Sequence, residues 1–269
     1  MKKPLLFLML LISIVTVRAQ EYLTKENINY YSDAICNSDS YIKTKCVLDV
    51  YYPKEGKSLG TIIWFHGGSL TMGKTEIPSA LKNQGYTVVG VDYRLSPKVK
   101  APAYIEDAAA ATAWVFNHII EFGGNPKSIF ISGHSAGGYL ALMITLDKSY
   151  LDKYHIDANK IAGIIPFSGQ TITHFTIRKE NGIGPLQPTI DKYAPLYFVR
   201  ADAPPMLLIT GDREKELYGR YEENAYLARM MKLVGHKNTT LYELQGYGHG
   251  MMIPAYPLLL NFIKSINTL

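Results

Sequence analysis

Apolar residues come along this chain in short, regularly spaced blocks. Thr61–Phe65, Thr87–Val91, Ser128–Ser132, Ile161–Phe167 and Met206–Thr210 are runs rich in Ile, Val, Leu and Phe. Each is strand length and nearly continuous rather than alternating, the pattern of a strand covered on both faces. Val47–Tyr52 alternates and ends at Pro53, which predicts an early antiparallel strand beside Tyr30–Tyr31. Thr239–Leu244 reads as the last strand. Helices are expected at Ile77–Gln84, Ala101–Phe122, Ala136–Leu146, Glu222–Leu233 and Tyr256–Ile266. Gly85, Gly235 and the run Gly123-Gly124-Asn125-Pro126 supply helix stops. Strands alternating with helices predict an α/β fold, a mostly parallel central sheet with helices on both faces. Gly169–Pro188 interrupts the alternation; it reads either as a small substrate-facing segment or as a surface loop.

The 269 residues suffice for one large domain. Neither a linker nor a repeat divides them, so residues 20–269 are expected to form a single unit. The first nineteen residues read as a signal peptide: Lys2 and Lys3, an apolar run from Leu5 to Val17, then Val17-Arg18-Ala19 with small residues where a signal peptidase cuts. An uncleaved anchor is the alternative, but the run is short for a bilayer span. The expectation is a secreted or periplasmic protein without stable membrane insertion. Lys2, Lys3 and Arg18 account for three of the +5 net charge, leaving +2. So small a surplus gives no reason to expect a nucleic-acid partner. Composition says nothing about oligomeric state. In an exported chain the two cysteines, Cys36 and Cys46, are expected to pair across a short N-terminal loop; free thiols are the alternative.

The chemistry concentrates after the strands. Ile129 to Ser132 runs into Gly133-His134-Ser135-Ala136-Gly137 and then a helix-forming stretch. A serine between a strand and a helix is forced into a sharp turn that lifts its hydroxyl clear of the sheet, so Ser135 is the expected nucleophile. A serine needs a base, and the base needs an orienting acid. His249, in Gly248-His249-Gly250 after the last strand, is the expected base. The acid is expected after the Met206–Thr210 strand, in Gly211-Asp212-Arg213-Glu214. Glu214 is favoured and Asp212 is the alternative, with Glu216, Asp202 and Asp191 behind them. His66-Gly67-Gly68-Ser69 follows the Thr61–Phe65 strand. Backbone N–H groups of Gly67 and Gly68, with that of Ala136, are expected to form an oxyanion hole. No metal cluster or nucleotide loop is present in the sequence, and no cofactor is expected.

Taken in order, Phe65-His66-Gly67-Gly68, Asp92-Tyr93-Arg94-Leu95-Ser96-Pro97, Gly133-His134-Ser135-Ala136-Gly137-Gly138, Gly211-Asp212-Arg213-Glu214 and Gly248-His249-Gly250 resemble the α/β-hydrolase superfamily. The resemblance is greatest to the esterase/lipase branch with the hormone-sensitive-lipase-like carboxylesterases and bacterial feruloyl and acetyl-xylan esterases, and it runs from about Val47 to the C-terminus. It implies a serine carboxylesterase with a short or absent cap, acting on a small-molecule or carbohydrate-linked ester through Ser135, His249 and an acid. A peptidase or acyltransferase of the same fold, or a non-catalytic binding protein, are the alternatives. The sequence departs from the family at Glu214, where an aspartate is usual, at Ser69, where many relatives carry glycine, and in the short insertion in place of a cap.

Overall fold

The computed structural model describes residues 20–268; the expected signal peptide lies outside them. Eight strands form one sheet in the order β1-β2-β4-β3-β5-β6-β7-β8. The strands are β1 (Tyr22–Asn29), β2 (Val47–Pro53), β3 (Thr61–Phe65), β4 (Thr87–Val91), β5 (Ile129–His134), β6 (Gly163–Phe167), β7 (Met206–Gly211) and β8 (Thr239–Leu244). β1 and β2 pair antiparallel, β2 meets β4 antiparallel, and every later pairing is parallel. The helices are α1 (Asp33–Ser38), α2 (Ser40–Lys45), α3 (Ala103–His118), α4 (Ala136–Leu146), α5 (Ser149–Asp152), α6 (Phe175–Glu180), α7 (Arg220–Leu233) and α8 (Met252–Asn267).

β3 and β4, buried throughout, and β5, buried from Ile129 to Gly133, explain the continuous apolar runs. One face carries Ile63, Val89 and Ile131 against the small side chains of α3 and the wholly buried α4. The other carries Ile62, Trp64, Phe130 and Phe167 against Leu259 and Ile263 of α8. Among the described residues no helix is long and apolar enough to cross a membrane.

Three expectations need correction. The helix at Ile77–Gln84 is only a short 3-10 turn, Ser79–Leu81. A Cβ on Gly90 would lie 2.3 Å from the carbonyl oxygen of Glu76, so the chain before that turn is pressed against β4 and leaves no room for a helix. The strand beside β2 is not at Tyr30–Tyr31, which form a bend, but just before them at β1, whose polar, exposed sequence hides it from a search for apolar runs. Cys36 and Cys46 are free. Cys46 enters the main core at the start of β2, whereas Cys36 stays on α1 with its thiol 3.6 Å from the Tyr31 carbonyl. The two thus serve different packing environments.

Candidate active site

The parallel strands end along one edge, and the functional side chains stand on the loops beyond it. β5 delivers Ser135 at φ 55° and ψ −112°, and α4 begins at the next residue. Such backbone geometry costs on the order of 1–3 kcal/mol and persists only where the surroundings enforce it. Here they do: Cβ atoms on Gly133 and Gly137 would lie 2.5 and 1.9 Å from the carbonyl oxygen of Phe65. The Ser135 N–H donates to the Phe167 carbonyl at 2.8 Å, and its own carbonyl accepts from Tyr139 N–H at 3.0 Å.

The loop between β8 and α8 carries His249 over this turn. Its Nε2 is 2.9 Å from Ser135 Oγ and its Nδ1 is 2.8 Å from Glu216 Oε2. Because the carboxylate can only accept, Nδ1 carries the proton and Nε2 is free to accept from the serine hydroxyl. The ring of His134 sits behind this loop, and its Nε2–H donates to the His249 carbonyl at 2.8 Å. Burial, reinforced by the neighbouring His249, pulls the His134 pKa down to about 4, so it is a neutral donor at physiological pH.

The acid partner of His249 is Glu216, and the expectation of Glu214, with Asp212 behind it, is overturned. The chain makes a single turn after β7, with the N–H groups of Lys215 and Glu216 both donating to the Asp212 carbonyl. That turn sends Glu214 outward, where it is exposed, and brings Glu216 back under His249. Asp212 instead ties the two loops together, accepting from Glu214 N–H at 3.0 Å and Gly246 N–H at 2.8 Å. A Cβ on Gly211 would lie 2.5 Å from the Tyr247 carbonyl oxygen, so glycine permits this close approach.

The Glu216 carboxylate is 1% exposed. Burial alone would raise its pKa, but hydrogen bonds from His249, the Ser168 hydroxyl and Gly211 N–H override it and hold the value at about 2. Ser168 is a residue that sequence reasoning missed. It follows β6 at φ 46°, is fully buried, and donates through Oγ to Glu216 Oε1. Its carbonyl accepts from the buried Arg220, which pairs with Glu223 at 2.8 Å. Only its place directly after an apolar strand could have drawn attention to it.

Gly67 and Gly68 follow β3 beside the Ser135 turn, and Ala136 is the residue after Ser135. A Cβ on Gly67 would be 3.7 Å from Ser135 Cβ, which sets the closeness of the loop to the nucleophile. Among the described residues none of the three N–H groups finds a hydrogen-bond acceptor. His66 orients the loop: its Nδ1 lies 2.6 Å from the Gly67 carbonyl and its Nε2 lies 3.1 Å from Asp92. In a trans peptide the C=O and N–H point opposite ways, so holding the Gly67 carbonyl turns Gly68 N–H away from His66. Ser69 adopts φ 59°, the left-handed conformation that the glycine of many relatives favours.

The first half of the insertion after β6, residues 169–178, is packed against the fold, whereas residues 181–188 are mostly exposed. α6 lies within the insertion, and Thr176 Oγ1 donates to the Ser69 carbonyl at 2.5 Å. It therefore braces the oxyanion loop from the side away from α8.

Comparison with known proteins agrees with this architecture. Esterase LipC of Mycobacterium tuberculosis is 28% identical over 207 residues, covering 70% of this chain and 50% of LipC. Lipase 2 of Moraxella sp. is 32% identical over 129 residues, covering 45% of this chain and 30% of that protein. The chain thus spans half or less of the length of these relatives. A truncated carbohydrate esterase from gut microbiota superposes with a TM-score of 0.72 at 20% identity, covering 93% of this chain and 98% of that one. The propionate-bound esterase Est2 of Thermogutta terrifontis gives 0.65 at 24% identity, covering 82% and 90%. Both structures establish the α/β-hydrolase fold. Residues 48–220 match the BD-FAE family, well over half of the chain, and the chain belongs to that family.

Proposed function

We propose that this chain is a serine carboxylesterase. The observation that carries the reading is the unbroken line of hydrogen bonds from Ser135 through His249 to Glu216, beside three N–H groups free to donate to an oxyanion. In the reaction, His249 Nε2 takes the Ser135 proton as Oγ attacks the ester carbonyl. The carbonyl oxygen becomes negative, and the N–H groups of Gly67, Gly68 and Ala136 stabilise it. His249 then gives its proton to the departing alcohol, and water, activated by the same imidazole, releases the acid from Ser135. With its pKa held at about 2, Glu216 stays ionised throughout and stabilises the imidazolium that forms.

Two finer statements belong to the same reading: the enzyme is exported, and it acts on acyl groups attached to carbohydrate. Export is supported by the basic, apolar and small-residue order of residues 2–19. The carbohydrate-linked ester is supported by the likeness to a structure described as a carbohydrate esterase. The decisive experiment is turnover of p-nitrophenyl acetate, acetylated xylan and feruloyl esters by the wild type and Ser135→Ala. Ester hydrolysis is expected only from the wild type, and equal rates from both would refute the reading. N-terminal sequencing of the exported protein is expected to begin at Gln20; an intact Met1 would remove the claim of export.

A further inference from the structure

Two clefts flank the oxyanion loop, and they differ in charge. The one toward α8, of about 370 Å³, is lined by His66, Gly68, Lys74, Glu76 and Met252, so it carries one lysine and one carboxylate, the latter accepting from Trp64 Nε1–H at 2.8 Å. The one toward α6, of about 430 Å³, is lined by Ser69, Thr71, Ser96, Lys100, Phe175 and Lys179. Glu180 also reaches it, but its carboxylate accepts from Ala101 N–H at 3.1 Å and Tyr104 Oη–H at 3.3 Å and is held against the wall. Among the described residues neither Lys100 nor Lys179 is in an ion pair. Two lysines outside any ion pair thus line one cleft against the single carboxylate of Glu180, a surplus of one positive charge, together with the half-buried ring of Phe175 and the hydroxyls of Ser69 and Ser96. Both volumes fall in the range of small-molecule sites, about 300–1,000 Å³. Ser69 directly follows Gly68, and successive Cα atoms lie about 3.8 Å apart, so a ring seated on Ser69 adjoins a carbonyl held at the oxyanion donors.

We propose that the α6 cleft binds a carboxylate carried by the substrate, of the kind a uronic acid residue presents beside the esterified sugar. The lysines attract the carboxylate, the ring of Phe175 takes the apolar face of the sugar, and the hydroxyls meet its polar edge. The insertion that replaces a cap is then the substrate's acidic-sugar wall. This inference rests on the esterase reading above and names its substrate class.

The test separates the two. On the Ser135→Ala background, which removes the nucleophile and leaves the cleft intact, a xylo-oligosaccharide with one glucuronic acid branch and its carboxyl-reduced neutral counterpart are titrated calorimetrically. The acidic ligand is expected to bind about fivefold more tightly at about 0.1 M salt, as two partly exposed charge pairs allow. The ratio should fall toward one at about 1 M salt, where the Debye length shrinks from about 10 Å to about 3 Å. Adding Lys100→Gln and Lys179→Gln should abolish the ratio. Lys127→Gln with Lys264→Gln removes the same charge at the opposite end of the sheet and should preserve it. Equal affinity for the two ligands, or equal loss in both lysine pairs, overturns the inference while wild-type turnover of p-nitrophenyl acetate still supports the esterase. An inert wild type overturns the esterase reading and the inference with it.

Discussion

The turn at Ser135 and the loop from Gly211 to Gly219 each place one reacting side chain beside His249, and they do so by different means. At Ser135 the position is fixed by backbone against backbone: glycines on either side admit the end of β3, and any Cβ there would collide with Phe65. In the acid loop it is fixed by polar side chains. Asp212 bridges to the His249 loop, Ser168 donates to Glu216, and Arg220 fixes the carbonyl of Ser168. Steric enforcement leaves a mark in the local sequence. Enforcement by hydrogen bonds from remote residues leaves almost none.

If that contrast is right, the largest effect in the acid loop comes from the residue the loop exists to hold. Glu216→Gln keeps the shape but removes the charge and can favour the wrong tautomer of His249. By analogy with serine proteases it should lower kcat about 10³- to 10⁴-fold with little change in KM. A loss below about tenfold would mean that another group orients His249. Ser168→Ala tests the next shell. Removing a hydrogen bond to a charged acceptor costs about 1.5–3 kcal/mol, so kcat should fall by about 10- to 100-fold as the Glu216 pKa rises. Ser168→Thr, which keeps the hydroxyl, should recover most of it; an unchanged pH–rate profile in Ser168→Ala would leave Ser168 with a packing role only.

The same contrast explains what could be read in advance. The central strands, α4, Ser135, His249 and the oxyanion glycines follow from patterns within a few residues: an apolar run, a glycine on each side, a helix start. Glu214 fails because counting residues from Gly211 assumes an extended loop, while the real chain turns back at Asp212 and shifts the acid two places along. The helix expected at Ile77–Gln84 fails because Gly90 of β4 accepts the backbone of Glu76 against it. The disulfide fails because Cys46 points into a core assembled from distant segments. For the helix and the disulfide the deciding contact lies outside the segment itself; for the acid it is a local turn that residue counting does not reveal.

His134 lies within the elbow but acts through the opposite loop, so it joins the two regions, and pH can separate its contribution. Its pKa is about 4 in the folded protein against an ordinary 6.5. As pH falls from 6.5 to 4, the unfolded chain takes protons that the native state refuses: His134 contributes a drop of about 3 kcal/mol, and the fully buried His174, whose pKa burial also pulls down, adds to it in the same window. Glu216 adds a second loss at lower pH. Its carboxylate, depressed from 4.5 to about 2, contributes fully above 4.5 and loses that contribution as pH falls through 2. Thermal melts across this range should show two successive declines. His134→Gln, a donor that does not titrate, should shrink the upper decline to the part that belongs to His174 and leave the lower one. An upper decline undiminished in that variant would take His134 out of it.

The smallest effect is expected where the sequence pointed most directly. Glu214 is exposed, and its backbone N–H, not its carboxylate, is what the loop uses, in the bond to Asp212. Glu214→Gln should therefore leave kcat/KM within about twofold, since exposed substitutions away from such features are nearly neutral. The pairing with Glu216→Gln is the sharpest form of the comparison, because the two variants make the same chemical change two residues apart. A similar large loss in both would mean that the loop moves as one body and that side-chain hydrogen bonds do not single out Glu216. A loss confined to Glu216 would mean that the turn at Asp212 alone decides which carboxylate faces His249.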